Sequence, residues 1–109
     1  TEAMLRANMQ HNGIEGYFEH VLSTDRAQAF KPAASAYQLG VDAFGLRKEE
    51  IVFAAFAGWD AAGASWFGYP TVWINRLDAM PEKLDATLVA EGRDLSALTE
   101  MLHERDRRV

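Results

Sequence analysis

The chain has 109 residues, 49% hydrophobic and 25% charged, the composition of one soluble globular domain with a modest core. Its net charge of −5 gives no electrostatic basis for nucleic acid binding, and the absence of cysteine excludes disulfides, thiolate catalysis and cysteine metal sites. No apolar run approaches the roughly 20 residues of a membrane-spanning helix, and the first residues lack the basic-then-apolar layout of a signal peptide, so a soluble cytoplasmic protein is expected.

Thr1 opens directly into helical pattern without a Met, as in a piece of a longer chain. Residues 1–13 read as a helix through Met4, Leu5 and Met9, with Gly13 as its C-terminal cap and Ile14 closing the end. Residues 14–19 form a turn, His20–Ser23 a short strand, and Thr24–Ala29 a loop. Pro32 suits the first turn of a helix over 33–44, whose apolar stripe is Tyr37, Val41 and Phe44 and whose end is Gly45. Leu46–Glu50 is a connector.

Ile51–Ala57 is apolar throughout, as in a parallel strand covered on both faces. Asp60–Phe67 is a helix of mostly small residues, able to lie close to a sheet. Pro70 introduces a strand over Thr71–Asn75, residues 76–86 are a loop, and Thr87–Ala90 is a last short strand. Asp94 is a good N-cap for a final helix with apolar residues Leu95, Leu98, Met101 and Leu102, while the charged tail HERDRRV is expected to fray. No repeat or composition shift marks a domain boundary. The order of elements predicts an α/β fold, a parallel sheet with helices on both faces.

Asp60 is the first candidate for chemistry, because open α/β sheets place their sites where a strand ends and a helix begins. One reading is a helix cap; the other is a metal ligand or general base. Mg²⁺ wants several hard oxygens, and no other acid lies between Ile51 and Leu77, so activation of a water is the better functional reading and no metal or cofactor is expected. Lys31, between Phe30 and Pro32 at another strand-to-helix turn, is either a solvated lysine or a holder of a carboxylate. Tyr37 is a core aromatic or a substrate contact, and Trp59 and Trp66 are core residues, unless Trp59 walls an apolar pocket. Asn75 and Arg76 close a strand and could face the same sheet end. His11, His20 and His103 lack metal-ligand spacing, and there is neither a serine nucleophile elbow nor a phosphate-cradling loop.

The stretches FKPAASAYQLGVDAFGL and IVFAAFAGWDAAGASWFGYPTVWINR resemble the L-2-haloacid dehalogenases of the haloacid dehalogenase superfamily. The likeness covers nearly the whole chain, and Thr1–Leu5 is similar to the segment that follows the family's Ser-Asn-Gly motif. The resemblance implies hydrolysis of a 2-haloacid in two steps: an aspartate displaces halide with inversion, and water then hydrolyses the ester. It implies that Lys31 pairs with that aspartate and that Asp60 holds the lysine and orients or activates the water. It places Tyr37 near substrate and lysine, makes Trp59 a pocket wall, and implies no metal and a homodimer. The nucleophile and the cap domain lie upstream in the family, so residues 1–109 resemble the C-terminal part of the catalytic core. Many relatives carry serine and asparagine where this chain has Ala55 and Ala57. Two other readings stay open: a Mg²⁺-dependent phosphatase of the same superfamily, and a non-catalytic binding or assembly domain.

Overall fold

The computed structural model describes residues 1–27, 33–79 and 87–107. They fall into two compact units, Thr1–Gly45 and Leu46–Val109, a seam that composition does not mark.

In the first unit, α1 spans Glu2–His11 and α2 spans Ala34–Phe44, with single 3-10 turns at Glu15–Tyr17 and Thr24–Ala27. α1 ends as its sequence predicts. Gly13 takes a left-handed φ of 68°, its N–H donates to the Gln10 carbonyl, and Ile14 N–H donates to Met9 at 3.0 Å, satisfying carbonyls the helix leaves open. Two expectations fail here. His20–Ser23 is not a strand: Val21 and Ser23 are buried, but no ladder joins them among the described residues. β-propensity describes fitness for a sheet, and a strand exists only with a partner. In α2 the stripe is buried at Ala36 and Tyr37, whereas Phe44 is exposed and meets the His20 ring edge-on at 4.9 Å.

The second unit contains β1 (Phe53–Ala55), α3 (Gly58–Phe67), β2 (Thr71–Ile74), β3 (Ala90–Gly92) and α4 (Ser96–Arg107). The strands form one sheet in the order β1-β2-β3, both pairings parallel, with Ala55 beside Trp73 and Val72 beside Ala90. Side chains alternate across a strand, and β2 shows which helix covers which face. Trp73 packs with Ala55 and with Ala61 of α3, while Val72 and Ile74 pack with Met101, Ala97 and Leu98 of α4. Helices therefore cover both faces, as predicted, and all four residues of β2 are buried.

Boundaries moved where pairing decides them. β1 is shorter than the apolar run Ile51–Ala57, because only three residues find a register on β2. The last strand shares only Ala90 with its predicted range. Gly92, which reads as a loop residue, belongs to that strand because β3 and α4 approach closely: a Cβ there would lie 2.5 Å from that of Ala97. α4 runs on through His103–Arg107 instead of fraying, and Leu95 and Leu102 stay exposed while Met101 carries the buried contact. No helix among the described residues is long and apolar enough to cross a membrane.

Candidate active site

The junction between β1 and α3 carries the two site residues that the structure sets side by side. β1 ends at Ala55, Phe56 and Ala57 turn the chain, and α3 begins at Gly58, so Trp59 and Asp60 are its second and third residues. Ala57 is the N-cap. Its φ of −83° and ψ of 140° are those of a cap residue, and its carbonyl accepts from the N–H groups of Asp60 (3.1 Å) and Ala61 (3.0 Å). An alanine offers no side-chain oxygen, and the head of α3 has no side-chain cap. Asp60 is thus not the cap. It lies one turn in, where a negative charge is favoured by the helix dipole. It is half-buried, while Trp59 beside it is 47% exposed.

Why the indoles lie outside follows from the inner face of α3. Ala61, Ala62, Gly63 and Ala64 are all buried, bringing the helix backbone close to the sheet. These four small residues take the inner face, and Trp59 and Trp66 fall on other sides of the helix, exposed and not core. Tyr37, in the first unit, is only 2% exposed, the burial expected of a core aromatic. Lys31 lies outside the described residues.

Asn75 follows β2 and is 5% exposed. Its amide nitrogen donates to the Ala79 carbonyl and its amide oxygen accepts from the Ala79 N–H, both at 2.9 Å. Both ends of the side chain are committed to a turn in which Asp78 takes a left-handed φ of 51°. Arg76 is exposed, and Arg93 pairs with Asp78 at 2.7 Å on the surface. A cleft of about 440 Å³ lies elsewhere, between β3 and α4, lined by Glu91, Ala97, Glu100, Met101 and His103. It includes none of the site residues read from sequence. Among the described residues no group of three or more acids and histidines is disposed to hold a metal ion.

No family model matches the chain. Individual proteins do. Haloacetate dehalogenase H-2 of Moraxella sp. (strain B) is 44% identical over 79 residues, 72% of this chain and 35% of that protein. The (S)-2-haloacid dehalogenase of Pseudomonas sp. (strain YL) is 39% identical over 95 residues, 87% of this chain and 41% of that protein. Among solved structures, the L-2-haloacid dehalogenase RSc1362 superposes with a TM-score of 0.91 at 41% identity, covering 94% of this chain and 45% of that one. This chain belongs to the L-2-haloacid dehalogenases.

As a haloacid dehalogenase relative, the chain spans well under half the length of the curated proteins it matches. The haloacid dehalogenase fold agrees with the parallel sheet and its two helical layers. Ala55 is buried against Ala61 and Trp73, and Ala57 holds α3 by its backbone alone.

One residue escaped the sequence reading. Trp73, 3% exposed, donates its indole N–H to the Phe56 carbonyl at 2.9 Å, within the site junction itself. The available signal was a bulky aromatic in a β-branched strand facing a stretch rich in alanine. Only the register, which puts Trp73 beside Ala55, turns that signal into a contact.

Proposed function

We propose that residues 1–109 are the C-terminal part of a haloacid dehalogenase core. The complete protein would hydrolyse short 2-haloalkanoic acids to 2-hydroxy acids. An aspartate outside this chain attacks the halogen-bearing carbon; the new C–O bond forms as the carbon–halogen bond breaks, and halide leaves with the bonding pair. Water then adds to the acyl carbon of the aspartyl ester. The ester's acyl–oxygen bond breaks, the 2-hydroxy acid departs, and the carboxylate is restored. Splitting one displacement into two easier steps is the gain of covalent catalysis.

In this reading Lys31 pairs with the nucleophilic carboxylate, Asp60 holds that lysine and orients or deprotonates the water, and Trp59 and Tyr37 contact the substrate. No metal is required. The protein works as a cytoplasmic homodimer on a small-molecule acid, without nucleic acid or membrane. The observation that supports this most is the location of Asp60, a single carboxylate on the first turn after a parallel strand, within a chain 39% identical to an (S)-2-haloacid dehalogenase. General acid–base groups contribute about 10²–10⁴-fold to rate.

The test is halide release from (S)-2-chloropropionate by the complete protein, by Lys31→Ala and by Asp60→Asn, each in the presence of a chelator. Release by the parent, abolished or nearly so in both variants and insensitive to chelation, is expected. Undiminished release by both variants would sink the assigned roles.

A further inference from the structure

Trp73 holds the β1–α3 junction at three points. Its ring packs against Ala55 before the turn and Ala61 after it, and its Nε1–H donates to the Phe56 carbonyl between them, at 2.9 Å. The two alanines leave the space the indole fills. The side chain is almost wholly buried, so its N–H needs a protein acceptor. Phe56 and Ala57 are the link between strand and helix, and the Ala57 carbonyl receives the first two hydrogen bonds of α3. Ala57 supplies no side-chain cap, and the link that leads into α3 is held from β2 instead.

We propose that Trp73 is a positioning residue: its indole N–H, by fixing the Phe56 carbonyl, sets where the first turn of α3 carries Asp60. This rests on the reading of Asp60 as the carboxylate that orients water. The simpler reading makes Trp73 a core residue whose N–H takes the nearest acceptor. The two differ in what happens when the donor is lost and the ring is kept.

The experiment replaces Trp73, in the complete protein, with benzothienylalanine, which keeps the two-ring shape and puts sulfur where the N–H was. Trp73→Phe serves as a second variant. Amide hydrogen exchange is followed at Asp60 and Ala61, with Val72 and Ile74 as internal controls, beside kcat and KM for halide release from (S)-2-chloropropionate. In the sulfur analogue, exchange at Asp60 and Ala61 should quicken about five- to tenfold, the factor one net hydrogen bond supplies. Val72 and Ile74 should not change, and kcat should fall with KM little altered. Unchanged exchange at Asp60 in the sulfur analogue overturns the proposal, as does an effect confined to Trp73→Phe, which would report lost volume. Faster exchange with undiminished kcat overturns it too, provided Asp60→Asn has abolished halide release. If Asp60→Asn leaves release intact, the reading of Asp60 fails separately, and the exchange measurement alone then decides whether Trp73 holds the junction.

Discussion

Among the described residues the second unit has two strand-to-helix junctions, and they are built in opposite ways. At β3–α4 a carboxylate secures the helix: Asp94 Oδ1 accepts from the Ser96 N–H at 2.8 Å and its carbonyl from Ala97. The Ser96 side chain first, then this Ser96 N–H bond and the Arg76 charge nearby, hold the Asp94 carboxyl below its ordinary value of 3.8. At β1–α3 the cap is an alanine, the carboxylate lies a turn further in, and the link is gripped from the neighbouring strand. The difference shows how a carboxylate at a helix head can be released from capping. There the steadying contact comes from the Trp73 indole and not from a capping carboxylate.

The sharpest way to break that contrast is to neutralise each carboxylate in the complete protein. Asp60→Asn should lower halide release by about 10²–10⁴-fold with a melting temperature close to the parent's. A large loss of stability instead would make Asp60 a structural residue like Asp94. Next in size is Gly92→Ala, which sets a methyl group against Ala97 at the other junction. It should cost about 1–3 kcal/mol in denaturant unfolding, and halide release below the transition should be kept.

Ala57→Asn gives α3 the side-chain cap it lacks and should raise stability by about 0.5–2 kcal/mol; no gain in denaturant unfolding would mean that the N–H groups of the first turn already have acceptors. The smallest change is Asp94→Ala, expected to lower the melting temperature by a few degrees at neutral pH without touching kcat. Its pH dependence is a finer check. The folded carboxyl titrates below its ordinary value, so the cap stabilises fully above that value and is lost as pH falls through the lowered one. The gap in melting temperature between parent and Asp94→Ala should therefore close below about pH 4.

These junctions also show what could be read without coordinates. Asp94 is legible as a cap because capping is local, a matter of two or three residues. The helices α1, α2 and α3, the strand β2 and the cap glycines Gly13 and Gly45 are legible for the same reason. His20–Ser23 looks like a strand and is not one, because pairing depends on partners far away in the chain. The displacement of β3 onto Gly92 has the same origin: glycine is penalised by local rules and required by the approach of α4. At the candidate site the sequence pattern starts the helix at Asp60 and leaves Trp59 at the strand end, whereas α3 begins at Gly58 and holds both in its first turn, and three further assignments needed tertiary contacts. Asp60 is not the cap, the Trp59 and Trp66 indoles are outside, and Trp73 reaches the junction from the next strand.

The row of small residues on α3 has a consequence for how this protein can change. Ala61, Ala62, Gly63 and Ala64 are all buried, and the Trp73 indole already fills the space against Ala61, so little between helix and sheet can rearrange to absorb an intrusion. An added methyl group at Ala61 must either be refused or move the helix as a rigid rod, carrying its first turn with it. A displacement of about 1 Å can cost a catalytic group roughly a hundredfold in rate. Random drift along this inner face should therefore be filtered for enzymatic competence as severely as for folding, and a mutational scan should find Ala61 as intolerant as a residue that touches substrate.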